Sequence, residues 1–385
     1  MTRRTLLFGP VFLHRRRQRV IVVMVDGLGQ DYIAGSSMPV LTRWQRSGIG
    51  KTVDGVMPSV TNANNASICC GVWPEKHGIT ANFYLDETSG REEYMEQAGL
   101  VLAPTLFERA AARGVHSALL SSKKKTITLL PRGATIVMSA EIPPPEWIKR
   151  LGPAPDIYSA EINHWLLQAA LWIVRNRPDI GVLYIHTTDY PMHMWPPEHD
   201  ASRRHLAGLD SLLGELSAAA PEAAILLTAD HGMHHKTRCW DLMLACAARG
   251  LDLRAAISAE QDKYLKHHSG FGGTAWVYLK SRRDADRAAT ILSSLSGVSE
   301  VLTRSEAARR FRLMPARIGE LVVLGDRDTV FGRLQSELIN LPPEYRSHGS
   351  SAEASVPLVV HNAEQAPAPE FFRANVDLAR WLFTS

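Results

Sequence analysis

Cysteine is scarce in this chain. Four occur among 385 residues: Cys69, Cys70, Cys239 and Cys246. Two are adjacent, which makes them poor disulfide partners, and neither pair has zinc-finger spacing. A disulfide-stapled secreted domain is excluded on that basis, and buried thiols in a reducing cytoplasm are expected. Long apolar runs are also lacking. No uninterrupted stretch is long enough to span a bilayer, so no membrane partner is expected. Near the start, Leu6-Leu7-Phe8 and Val11-Phe12-Leu13 are apolar, but Gly9-Pro10 and His14 interrupt them and no small-residue cleavage site follows. Nor is there a strong excess of one charge. The formal net charge is +4, and much of it sits in Arg3, Arg4, Arg15, Arg16, Arg17 and Arg19. Residues 1–18 read as a solvated basic arm, and nucleic-acid binding is not implied. Internal repeats and low-complexity tracts are absent as well.

What the chain does have is ordinary globular composition, 45% hydrophobic and 21% charged, which argues against disorder. Three apolar runs stop at polar residues. Arg19 to Val25 ends at Asp26-Gly27, Gly181 to His186 runs into Thr187-Thr188-Asp189, and Ala224 to Ala229 runs into Asp230-His231-Gly232. Runs that are apolar at nearly every position suit strands covered on both faces. Helical patterns lie between them, at Pro104 to Arg113, Ser159 to Asn176 and His199 to Ala219. The alternation predicts an α/β fold: a doubly wound, mostly parallel sheet flanked by helices, with ligands beyond the carboxyl ends of the strands. Residues 19–265 read as the first part of the catalytic core, with a cap loop near 120–155. Residues 266–326 read as a small α+β insertion, and 327–385 as the return to the core. The insertion rests on strand-like Gly273 to Leu279, Val298 to Leu302 and Glu320 to Leu324, and on helix-like Arg283 to Leu295 and Ser305 to Phe311.

The polar strand ends carry chemistry. Asp26, Asp189, His193, Asp230, His231 and His348 form an oxygen- and nitrogen-rich set large enough for two divalent ions. Manganese, iron and zinc all suit such donors. Asp189 and His193 are four apart, and Pro191 between them predicts a loop. A strand-end aspartate taken singly is more often a turn or cap residue; three on one rim make the metal reading the better one. Thr61 lies in Met57-Pro58-Ser59-Val60-Thr61-Asn62-Ala63-Asn64-Asn65, where a helix begins and polar residues are expected to cap it. A helix N-terminus favours an anionic phosphoryl group, and a metal-activated threonine hydroxyl is a competent nucleophile.

Val25-Asp26-Gly27, Thr61, the stretch Gly71 to Gly78 (GVWPEKHG), Asn82, Asp189 with His193, Asp230-His231-Gly232 and Ser347-His348-Gly349 follow one another in this order. That order resembles the alkaline phosphatase superfamily, in its nucleotide pyrophosphatase/phosphodiesterase-like branch. The segments Thr61 to Asn65, Tyr264 to Gly273, Gly325 to Gly332 and Arg346 to Gly349 look most like the phosphonoacetate hydrolases of that branch. The resemblance implies one zinc held by Asp189, His193 and His348, and a second held by Asp26, Asp230, His231 and the Thr61 oxygen. It implies that Asn82 hydrogen-bonds a phosphoryl oxygen. It also implies that lysines of a cap loop hold a substrate carboxylate. Here Lys123-Lys124-Lys125 fall at the corresponding place, three in a row where the family's lysines alternate. Lys123 and Lys125 are therefore the expected pair, with Lys124 facing away on an extended segment. Sulfatases are excluded because Thr61 cannot become formylglycine.

The expected activity is hydrolysis of the C–P bond of phosphonoacetate, or of a related carboxyl-bearing phosphonate, by Thr61. The alternatives are a phosphodiesterase or nucleotide pyrophosphatase with the same metals, and a metal-stabilised binding protein without turnover. The expected partner is a small-molecule phosphonate or phosphate ester, with a homodimer as the oligomeric option.

Overall fold

Val20–Met24, Ile180–His186 and Ala224–Thr228 are strands whose side chains are almost all buried. Side chains that would be costly to leave in water at every position cannot be satisfied by a sheet with one wet face. Each fully buried Val, Leu or Ile contributes about 1.5–3 kcal/mol relative to exposure. The computed structural model describes residues 18–262, 266 and 269–384. Residues 1–17 of the basic arm, and residues 263–265 and 267–268 of the Tyr264–Gly273 segment, lie outside the described residues.

We label the strands of the central sheet β1 (Val20–Met24), β2 (Ile49–Asp54), β3 (His116–Ser121), β4 (Ile136–Ser139), β5 (Ile180–His186), β6 (Ala224–Thr228) and β7 (Ser355–His361). Their order across the sheet is β2-β7-β6-β1-β5-β3-β4. β1 pairs in parallel with both β5 and β6, and β3 pairs in parallel with both β4 and β5. β7 is antiparallel to both its neighbours. The sheet is thus mostly parallel, flanked by helices such as Glu161–Asn176, which packs against β3 and β5. Register aligns Met24 with both His186 and Thr228, so the chain leaves β1, β5 and β6 at one edge.

A second sheet of four strands, Leu253–Ser258, Thr274–Leu279, Leu321–Gly325 and Val298–Thr303 in that order, is antiparallel throughout. Helices Ala285–Ser293 and Arg304–Phe311 accompany it. Its first strand lies before residue 266, and the stretch read as a cap loop contributes β4 to the central sheet. Among the described residues no helix is long and apolar enough to cross a membrane.

Candidate active site

The backbone at the sheet edge is tied strand to strand. The Asp26 N–H donates to Thr187 Oγ1 at 2.9 Å, and the Gly27 N–H donates to Asp230 Oδ1 at 3.0 Å. Gly27 has φ +74°, and a Cβ there would lie 3.0 Å from the Asp189 Cβ. The turn therefore needs glycine both for its left-handed backbone and for its close approach. Asp189 is the N-cap of a helical turn, Tyr190–Met194, with Pro191 in its first turn. The expected loop is corrected here: proline is tolerated in the first turn because its missing N–H would have no helical partner there. The helical turn brings His193 Nε2 to 3.0 Å from Asp189 Oδ2.

His348 comes from the far end of the chain and is held by the turn that leads back to β7. Gly273 N–H donates to the His348 carbonyl at 2.9 Å, and the Thr274 hydroxyl to that of Gly349 at 2.6 Å. The His348 Nδ1 lies 2.7 Å from the Ser59 carbonyl, His193 Nδ1 2.9 Å from that of Arg346, and His231 Nδ1 2.9 Å from that of Gly232. A carbonyl can only accept, so each Nδ1 carries the proton and each Nε2 presents a lone pair to the site. That is the tautomer a metal-ligating histidine needs, fixed by the partner such histidines ordinarily have.

The carboxylates meet these imidazoles. His231 Nε2 is 3.3 Å from Asp230 Oδ2 and 3.5 Å from Asp26 Oδ1, and His348 Nε2 is 3.7 Å from Asp189 Oδ2. The His231 and His348 rings stack at 3.5 Å between centroids. Donor atoms of Asp189, His231 and His348 lie within 4.8 Å of one another, as do those of Asp26, His186 and Asp230. These clusters differ from the expected ligand groups: His231, expected with Asp26 and Asp230, clusters with Asp189 and His348, and His186 stands in its place beside Asp26 and Asp230. All six residues are buried. Asp26 Oδ1, Asp230 Oδ2, His231 Nε2, His348 Nε2 and the Thr61 hydroxyl are buried without a hydrogen-bond partner. Native proteins rarely leave so many polar atoms unsatisfied in one place. The donor set of three imidazoles and three carboxylates suits two divalent ions.

Charge here is tightly balanced. Lys123 Nζ lies 2.6 Å from Asp26 Oδ2 and 2.7 Å from Asp189 Oδ1. Burial alone would raise the Asp189 carboxyl, but Lys123 and His193 beside it hold it well below the ordinary range. Burial and the neighbouring Asp26 push Asp230 up. Burial would lower the Lys123 ammonium, and Asp189 and Asp26 outweigh it. Burial, followed by the proximity of His231 and His193, keeps His348 neutral.

Thr61 opens the helix Thr61–Cys70, whose N-cap is Val60, with no side-chain cap. The expected polar cap is not present. The Thr61 side chain is therefore not engaged as a cap, and the first backbone N–H groups of the helix form an electropositive end. Thr61 is pinned on both sides: Ser59 by its contact with His348, and Asn62, whose N–H donates to Asn82 Oδ1 at 3.0 Å. Asn82 Nδ2 donates in turn to Glu260 Oε2 at 3.0 Å.

Of the lysines, Lys124 begins a short helix, Lys124–Leu129, with Lys123 as its N-cap, so the segment is not extended as expected. Lys124 is nonetheless exposed while Lys125 is buried. Lys125 pairs with Asp262, their side chains only 6% and 5% exposed. Lys123, Lys125, Asp189, Glu260 and Asp262 line one pocket with Tyr158 and Tyr190.

Sequence reasoning missed four groups. His186 Nε2 lies 3.1 Å from Asp26 Oδ2 while its Nδ1 faces the hydroxyls of Ser121 and Thr126, both at 2.9 Å. Glu260 Oε1 lies 3.2 Å from His348 Nε2, and burial pushes its carboxyl up to about 7. Asp262 and Glu353 are the others. A histidine closing an apolar strand, as His186 does, was a usable signal; the three acids carry none.

Residues 20–351 match the family of type I phosphodiesterase / nucleotide pyrophosphatase. The structure of phosphonoacetate hydrolase from Sinorhizobium meliloti 1021 in complex with phosphonoacetate is similar at TM-score 0.85 and 30% identity, covering 95% of this chain and 96% of that one. A murine ectonucleotide pyrophosphatase / phosphodiesterase 5, inactive and in complex with AMP, shares the fold at TM-score 0.69 and 16% identity, over 94% and 92% of the two chains. An ectonucleotide pyrophosphatase/phosphodiesterase of Caenorhabditis elegans is 26% identical over 56% of this chain and 26% of its own length. The chain spans about half the length, or less, of the curated relatives it matches.

Proposed function

Since the chain belongs to the type I phosphodiesterase / nucleotide pyrophosphatase family, we propose that it is a two-metal hydrolase that attacks phosphorus with Thr61 and releases phosphate from phosphonoacetate or a related carboxyl-bearing phosphonate. One observation carries this reading: three Nε2 lone pairs, set by Nδ1–H bonds to backbone carbonyls, face three aspartates next to the helix that presents the buried, unpartnered Thr61 hydroxyl. Asp189, His193 and His348 would hold one ion, and Asp26, Asp230, His231 and the Thr61 oxygen the other. Zinc is the ion we favour. When bound, such ions neutralise phosphoryl charge and lower the pKa of a coordinated hydroxyl or water.

The chain's own groups do the rest. Thr61 forms a bond to phosphorus in line with the departing carbon, and water later hydrolyses the phosphothreonine. The N-terminal amides of its helix and the Asn82 amide orient phosphoryl oxygens. The Thr61 hydroxyl gives up its proton to solvent as it attacks, the leaving carbon departs with an electron pair that spreads into its carboxylate and then takes a proton from water, and Lys123 and Lys125 stabilise that charge. The four buried thiols fit a reducing cytoplasm.

Phosphate release from phosphonoacetate by the purified protein, compared with its Thr61→Ala variant, tests the reading. Turnover should vanish in the variant and persist in part in Thr61→Ser. Wild-type rates in Thr61→Ala would falsify the nucleophile assignment. A second reading, hydrolysis of nucleotide diesters, is favoured by the family match. Good diester turnover without phosphonoacetate turnover would establish it instead.

A further inference from the structure

A buried glutamate is uncommon without a partner that needs it, and Glu260 is 3% exposed between two groups of the site. It follows the strand Leu253–Ser258, and the backbone beside it is fixed. The Ala259 N–H donates to the Thr274 carbonyl at 2.9 Å, and the Asn82 N–H donates to the Ala259 carbonyl at 2.9 Å. The two side-chain oxygens of Glu260 have different neighbours. Oε2 accepts from Asn82 Nδ2 at 3.0 Å, and Oε1 lies 3.2 Å from His348 Nε2.

The contact with Asn82 decides how that amide is presented. Asn82 Oδ1 accepts the Asn62 N–H at 3.0 Å. A backbone N–H can only donate, so the amide oxygen faces the helix and Nδ2 faces Glu260. Turned over, the amide would set donor against donor at Asn62 and acceptor against acceptor at Glu260. The terminal torsion of an asparagine is broad and roughly two-fold, so this choice has to be imposed from outside. Asn62 holds the oxygen end and Glu260 the nitrogen end. Nδ2 has a second hydrogen. Among the described residues its remaining partner is the Glu260 carbonyl at 3.5 Å, the limit of a hydrogen bond, which leaves that hydrogen available to a phosphoryl oxygen.

Resting on the part of the proposed function that puts Asn82 on a phosphoryl oxygen, we propose that Glu260 is a positioning residue: it holds the Asn82 amide so that Nδ2, and not Oδ1, meets the phosphoryl group beside Thr61. Oε2 accepts whether or not Oε1 carries a proton, so the role requires no particular charge on Glu260. The succession Glu260, Asn82, Asn62 also ties the end of a second-sheet strand to the first turn of the helix that opens at Thr61. A donor fixed in advance costs no reorganisation when the phosphoryl group arrives.

The test is a double-mutant cycle read as kcat/KM on whichever phosphorus substrate the protein turns over, with metal content measured on every variant. Asn82→Ala should lose about ten- to a hundred-fold, the range of one charge-assisted hydrogen bond. Glu260→Ala should lose about ten-fold with the same division between kcat and KM. The double variant should be no slower than Asn82→Ala alone, because Glu260 acts through the amide. Glu260→Gln keeps an acceptor of the same shape and should recover most of the Glu260→Ala loss. Inorganic phosphate should bind less tightly to both alanine variants than to the parent, a readout that needs no turnover. Losses that multiply in the folded double variant overturn the inference, as does Glu260→Gln matching Glu260→Ala. Reduced metal content in Glu260→Ala also overturns it, because the role would then lie at His348. Each of these outcomes leaves the proposed function standing. Turnover of neither phosphonate nor diester, with no binding of phosphate, removes the proposed function and this inference together.

Discussion

Glu353 offers a perturbation whose size can be worked out in advance. Its carboxylate is buried and accepts from Lys236 Nζ at 2.7 Å, His234 Nδ1 at 2.8 Å, and the backbone N–H and hydroxyl of Ser350 at 3.0 and 2.7 Å. Burial would raise this carboxyl, but Lys236 and His234 bring it from an ordinary 4.5 to about 2. At about 1.4 kcal/mol per unit, that difference corresponds to stabilisation on the order of 3 kcal/mol. Removing one partner of a buried pair costs about 3–5 kcal/mol by an independent route, so the two arguments agree. Glu353→Ala should lower the melting temperature by roughly 4–6 °C at neutral pH, since the unfolding entropy of a chain this long is about 0.8 kcal/mol/K. The sign with pH follows from a depressed carboxyl: the contribution is complete above about 4.5 and is lost as pH falls towards about 2. The gap between parent and variant should therefore close across that window. The effect should reach the site too, because the Glu353 carbonyl accepts the Gly232 N–H at 2.7 Å and Ser350 lies two residues past His348. Thermal melts at several pH values, with metal content measured on the same samples, provide the check. A variant that melts within about 1 °C of the parent at pH 7 would refute the reasoning, because it would assign the buried pair less than about 1 kcal/mol.

Elemental analysis of protein purified without chelator should find two divalent ions per chain, and His348→Ala should lower metal content and rate together, as should His193→Ala. Less than one ion with full activity would sink the two-metal reading. Lys123→Ala or Lys125→Ala should cost about ten- to over a hundred-fold on phosphonoacetate and far less on an aryl phosphate ester without a carboxylate. Equal losses on both would give the lysines a structural or phosphoryl role. His186→Leu removes the imidazole that holds Asp26 at 3.1 Å, and metal affinity should fall by about 10–100-fold. Unchanged affinity by competition with a chelator would mean that Asp26 needs no such support.

The fold was legible where burial alone dictates local structure. β1, β5 and β6 are apolar at every turn of the pleat, and only a sheet covered on both faces accommodates that. Their helical connections follow from the parallel pairing. The second sheet was harder to delimit. Leu253–Ser258 (LRAAIS) carries an exposed Arg254 and two alanines, and its burial comes from pairing with Thr274–Leu279, a partner distant in sequence. No periodicity within the segment itself announces that partner. Pro191 misled for a related reason. Its effect depends on its position within the turn, and only the placement of Asp189 as N-cap makes it harmless.

The candidate site divides the same way. Asp26, Asp189 and Asp230 follow strands whose direction the sequence reveals, so their convergence at one edge needs only parallel pairing. Asp262 and Glu260 follow Leu253–Ser258, a strand of the other sheet, and nothing local aims them at Lys125 or His348. The β1-to-β6 edge supplies groups that can bind metal, whereas Glu260 and Asp262, which follow a strand of the second sheet, line the adjoining pocket with Lys123 and Lys125. Residues of the first set are constrained together by one sheet. Of the second set, Asp262 pairs with Lys125, whereas Glu260 reaches His348 and Asn82 and belongs with the groups around Thr61. Substrate preference among relatives with this central sheet should therefore track the residues at positions 125 and 262, which pair with each other. Exchanging those two residues between this chain and a diester-cleaving relative should move the preference for carboxyl-bearing phosphonates while leaving metal content unchanged.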